Sequence, residues 1–178
     1  MSTKYHFTTH IELSTDPHDV WQTLARSERW IDWWRWLSRV DVLDEGDERG
    51  VGRRVRHQVS SPLRYQLDYV GVVTRAVEPV ISRFEAEGDL EGCGQFVVEE
   101  TDRGSTLLIF DWLVVTPKRW MNLLAPLARP IFVWNHHRLM EDFATDLAGA
   151  LSTELIAVEN ESKHPGVDGF FEMPNVEL

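Results

Sequence analysis

The sequence predicts an α+β domain in which an antiparallel sheet of about six to seven strands curves around one long helix near the C-terminus, with two short helices after the first strand. Three observations carry this. Apolar residues alternate with polar ones in a series of short segments separated by turn signals. Pro130 to Leu151 places Phe132, Val133, Leu139, Met140, Phe143, Ala144, Leu147, Ala150 and Leu151 on one helical arc, with Asn135, Arg138, Glu141, Asp142, Thr145 and Asp146 on the other. The strand signals run consecutively, and the helical ones gather near the two ends.

Taken in order, Tyr5 to Leu13 alternates as a half-buried strand. Asp16-Pro17 starts a short helix, with Asp16 as cap, Pro17 at the first position and Val20, Trp21 and Leu24 as its apolar side. Ser27 is positioned to cap a second short helix carrying Trp30, Trp33, Trp34 and Leu37. Val40 to Leu43 is a weak strand before the turn-rich EGDERGVG. Strands follow over Arg53 to Ser60, Leu63 to Val73 and Val80 to Gly88; Gln95 to Glu100 and Ser105 to Val115 flank the turn TDRG as a hairpin. Ser105 to Val115 is apolar on both faces apart from Asp111, which implies a central place in the sheet or a contact outside it. Thr116-Pro117 opens another short helix, Arg119 to Leu127, which Pro126 and Pro130 should break before the long one begins with Pro130 as its first residue. One domain over 1–155 is expected, and 156–178 reads as an acidic tail, disordered or docked on the body through Phe170 and Phe171.

Composition limits the function. A 178-residue chain can bury a substantial core. The formal net charge of −11 argues against nucleic acid and anionic membrane as partners. A single cysteine, Cys93, excludes an internal disulfide and a cysteine-rich metal site. The first residues lack the apolar core of a signal peptide and no stretch is long enough for stable membrane insertion, so the expected location is cytoplasmic.

Two groups of residues resemble a known family. Ser14-Thr15-Asp16-Pro17-His18-Asp19-Val20-Trp21, with Leu24, Trp30 and Trp33-Trp34, is similar to the opening of the helix-grip, START-like (SRPBCC) superfamily, which holds polyketide cyclase/dehydrase-like, lipid-transfer and birch-pollen-allergen-like proteins. Pro126-Leu127-Ala128-Arg129-Pro130 leading into Trp134-Asn135-His136 resembles its polyketide-cyclase-like branch. The resemblance spans roughly residues 3 to 152. It implies a deep apolar pocket between sheet and long helix, opening near the short helices, that would take a lipid-like, aromatic or polyketide-like ligand without a cofactor.

The residues themselves nominate the walls of such a pocket. His136 is the polar residue in the middle of the apolar arc, where an imidazole could hold a ligand oxygen or carry a proton, and it is the best catalytic candidate if the protein is a cyclase or dehydratase. Phe132, Met140 and Phe143 share its arc; His57, Tyr65, Tyr69, Phe84, Phe96 and Trp112 fall on the strand face taken as concave. A one-residue slip would bring Arg64, Gln66 and Asp68 inward instead. Trp36 lies off the stripe of Trp30, Trp33, Trp34 and Leu37, which marks it as a ligand or surface residue. His137 and Glu141 share a helix face but lack a third ligand, so no metal is expected. The doubly apolar strand and the Trp-rich segment leave homodimerisation as a further partner reading.

Overall fold

The computed structural model describes residues 3–116 and 119–163. Eight strands form one sheet in the order β2-β3-β4-β5-β6-β7-β1-β8, every neighbouring pair antiparallel. They are β1 (Thr3–Leu13), β2 (Leu37–Asp44), β3 (Arg54–Ser60), β4 (Gln66–Val77), β5 (Ile81–Gly88), β6 (Glu91–Glu100), β7 (Thr106–Thr116) and β8 (Leu155–Lys163). Helix α1 (Pro17–Ala25) and a 3-10 segment (Ser27–Asp32) link β1 to β2, and α2 (Arg119–Leu151) links β7 to β8.

Local chemistry accounts for the opening. The Asp16 carboxylate accepts the His18 N–H at 2.7 Å, Pro17 needs no donor at the first turn, and Val20, Trp21 and Leu24 face the core. Ser27 does not cap the next element. Its preceding residue is Arg26, with no side-chain cap, and six residues close as a 3-10 turn that drops Trp30 into the interior.

Four expectations change. The sheet has eight strands rather than six or seven, because the chain beyond Leu155 adds one: His6 pairs with Lys163, Thr9 with Asn160 and Ile11 with Val158. Thr9 Oγ1 also donates to Asn160 at 2.8 Å. The domain boundary expected at Leu155 therefore falls inside the body, and Phe170 and Phe171 lie outside the described residues. β4 starts at Gln66, since Arg64 takes a left-handed turn conformation (φ 61°) after Ser61. Finally, α2 is continuous through both prolines. The N–H missing at Pro130 is the one that would have met the Pro126 carbonyl four residues back, so each proline removes a single rung. The rest of the helix, packed on the sheet by Met140, Phe143, Ala144 and Leu147, holds the line.

β7 has β6 and β1 as neighbours, so its apolar character belongs to an interior strand. Asp111 points away from α2, where it accepts from Thr8 Oγ1 at 2.8 Å and Gln95 Nε2 at 3.1 Å. His6 Nε2 stands 3.8 Å from the same carboxylate and Arg83 Nε donates to Gln95 at 3.0 Å. This buried polar strip ties four strands on the outer face of the sheet.

Candidate functional site

Register places the aromatic residues. One row across the concave face runs Phe7, Trp112, Gly94, Phe84 and Val73; the next runs Thr9, Phe110, Phe96 and Ser82. Gly94 is required here, because a Cβ would collide with the Phe84 ring and come within 2.6 Å of Trp112. With that space vacant the rings close up across the strands. Phe84 and Phe110 are within 10° of parallel, Phe96 and Phe110 within 21°, Phe110 and Trp112 within 23°.

Between this floor and α2 lies a cavity of about 700 Å³. Its roof is Phe132, Asn135, His136, Leu139, Met140 and Phe143. One end is a charged rim of Arg26 at the α1 joint, Glu48, Arg49 and Gly50 in the β2–β3 loop, Arg53, and Glu78 in the β4–β5 turn. Arg53 binds Glu28 and Glu45 at 2.6 Å each, and Gln22 Nε2 donates to Glu78 at 2.8 Å, so α1 and the 3-10 segment are tied to the loops opposite. The other end carries Tyr5, Ser61, Tyr65, Leu90 and Asn135.

His57, Tyr65, Tyr69, Phe84, Phe96, Trp112, Phe132, His136, Met140 and Phe143 are all brought together on its wall. Trp36 is not. Its indole N–H donates to the Asp142 carboxylate at 3.0 Å, outside the cavity. Asp142 also meets Arg138 at 3.1 Å, and Arg35 pairs with Asp146 one turn on, so the loop between the 3-10 segment and β2 is clamped over the polar face of the helix. That clamp buries a face expected to be wet: Asp142 is only 6% exposed. Replacing Trp36 with Phe leaves this carboxylate one donor short, and a loss of about 1–2 kcal/mol is expected in urea unfolding at constant m-value.

Other wall residues escape the sequence reading. Trp30 and Trp34 read mostly as packing for the second helix, and both line the cavity as well as the core. Phe110 follows from the alternation that placed Trp112. Asn135 falls with the polar arc although it stands about 40° from Leu139 on the helical wheel, at the edge of the apolar stripe; it is 5% exposed.

The titratable groups on the inner wall are uncharged. The His136 ring stacks on Phe7, with centroids 3.8 Å apart and planes within 8°; burial, and secondarily the neighbouring His137, bring its pKa down to about 3. His57 stacks on Tyr69 at 5.4 Å, and burial takes it to about 4; the Val55 carbonyl opposes the shift without meeting hydrogen-bond geometry at either ring nitrogen. Burial raises the Tyr69 and Tyr65 hydroxyls, so both stay protonated. His137 and Glu141 do not recruit further ligands: among the described residues no group of three or more His, Cys, Asp or Glu could hold a metal. No described helix is long and apolar enough to cross a membrane.

An eight-stranded antiparallel sheet folded around one long helix, with two short helical segments after the first strand, has counterparts among solved structures. A START superfamily protein from Mycobacterium smegmatis superposes with a TM-score of 0.67 at 18% identity, over 83% of this chain and 97% of its own. The fold is helix-grip. The Zhui aromatase/cyclase from Streptomyces sp. R1128 aligns with a TM-score of 0.68 at 16% identity, covering 84% of this chain and 94% of its own. A Thermus thermophilus protein aligns at 0.63 and 15% identity, over 82% and 98%. No family model and no curated protein sequence matches the chain. The helix-grip architecture is what these likenesses establish.

Proposed function

We propose that the protein binds a small apolar molecule, lipid-like, aromatic or polyketide-like, in the cavity between the sheet and α2, as a cytoplasmic carrier without a cofactor. The observation that supports this most is the wall itself: about 700 Å³ faced by aromatic rings, with the inner imidazoles held neutral. That size and polarity suit a ligand of a few rings or one folded chain. Native mass spectrometry of the protein as purified tests it. The expected result is a chain carrying one apolar molecule, or a chain that takes one up when polycyclic hydrocarbon is added. An empty chain that takes up nothing overturns the proposal. The same spectrum separates monomer from homodimer.

The alternative, a polyketide cyclase/dehydratase-type enzyme, draws on the likeness to the Zhui aromatase/cyclase fold. It would use His136, His57 or a tyrosine as proton carrier. The imidazoles argue against it, since groups titrating near 3 and 4 supply no acid at neutral pH and act only as weak bases. Turnover of a polyketide that vanishes in both His136→Ala and His136→Phe would reverse this preference.

A further inference from the structure

The cavity has two unlike ends, and they decide what kind of ligand fits. Among the described residues, all cavity-lining guanidinium groups belong to the rim: Arg26, Arg49 and Arg53, the last engaged by Glu28 and Glu45. From Arg53 to Ser61, β3 and its flanking residues run about 26 Å at the usual rise per residue. Among the described residues, the polar groups that line the far end are neutral. Asn135 Nδ2 donates to the Tyr65 hydroxyl at 3.1 Å, which fixes the amide, while Asn135 Oδ1 is buried with no partner among the described residues. His136 Nδ1, on the same stretch of helix and the same wall, is likewise unpartnered. Arg129 lies over the Tyr5 ring at 5.4 Å and is not part of the wall.

An unpaired amide oxygen in an apolar wall costs free energy until a donor reaches it. A carboxylate cannot supply one, and among the described residues the cation at this end, Arg129, is engaged over the Tyr5 ring and does not line the cavity. A neutral hydroxyl can donate to Asn135 Oδ1. We infer that Asn135, held by Tyr65, reads a neutral hydroxyl on the leading end of a flat apolar ligand, and that the site discriminates against a carboxylate at the same position. This rests on the ligand-binding reading above, and it names the ligand class: a phenol or alcohol on a polycyclic body.

Three probes with one ring system separate the two readings: pyrene, 1-hydroxypyrene and 1-pyrenecarboxylate, titrated near pH 7 by quenching of tryptophan fluorescence. The wild-type protein is expected to bind hydroxypyrene about tenfold more tightly than pyrene, with the carboxylate weakest. In Asn135→Leu the hydroxyl preference should disappear, so that the affinities for hydroxypyrene and pyrene come to a ratio of about one. Tyr65→Phe, which frees the amide without changing the size of the wall, should reduce the preference to about threefold. Equal affinities for pyrene and hydroxypyrene in the wild type, a carboxylate that binds best, or a preference that survives Asn135→Leu and Tyr65→Phe would each overturn the hydroxyl assignment while leaving the cavity reading intact. If none of the three binds, both fall.

Discussion

Lowering the pH from 7.5 to 5 is expected to remove about 4 kcal/mol of stability through two histidines. In the unfolded chain both imidazoles take a proton near 6.5; folded, His57 does so only near 4 and His136 only near 3. Between those limits the unfolded state binds more protons, so stability falls as pH falls, by about 1.4 kcal/mol per pH unit for each group. At neutral pH neither imposes a penalty, and below about pH 3 the loss levels off. His6 and His137 are also lowered, chiefly by burial, and push in the same direction. Urea midpoints at pH 7.5 and 5 measure the effect, and the His57→Phe/His136→Phe double variant should lose most of the acid sensitivity while keeping its aromatic stacking. Equal sensitivity in the double variant would mean the imidazoles are protonated in place.

Trp30→Ala is expected to cost about 3–5 kcal/mol, the largest loss from any single truncation at the site. Trp30 is 8% exposed and its ring meets Trp33, Trp34, His57, Phe96 and Phe143 with centroids between 5.8 and 6.1 Å. Its indole N–H donates to the carbonyls of Thr23 and Leu24 at 3.2 Å, so the same residue closes the end of α1. Trp30→Phe, which keeps most of the ring and loses the donor, should cost about half as much. A shift of under about 1 kcal/mol in denaturant unfolding for Trp30→Ala would show that the aromatic cluster closes around the gap.

Much of this arrangement is legible in residue spacing. Two-residue periodicity puts Tyr69, Phe84, Phe96 and Trp112 on one face, and helical periodicity puts Phe132, His136, Met140 and Phe143 on the arc opposite. What spacing cannot reveal is a partner distant in the chain. Asp142 and Asn135 look like solvent-facing residues until Trp36 and Tyr65 cover them, from 106 and 70 positions away. β8 is hidden for a related reason. Its alternation, LIAVENESK, is too polar to read as a strand, and an edge strand needs only one neighbour and one covered face. The prolines of α2 mislead because propensity speaks for single positions, whereas a helix anchored along its length tolerates a lost rung.

The parallel rings over Gly94 have a consequence for motion. Phe84, Phe96, Phe110 and Trp112 pack against one another at centroid spacings of 4.6 to 6.3 Å, so the cavity meets an unbroken aromatic surface. A flat molecule bound there would exchange one ring contact for the next as it moved, so its sideways travel would meet only a low, even barrier. The floor would serve as a track, and on the hydroxyl assignment proposed above the amide of Asn135 would set where such a molecule halts.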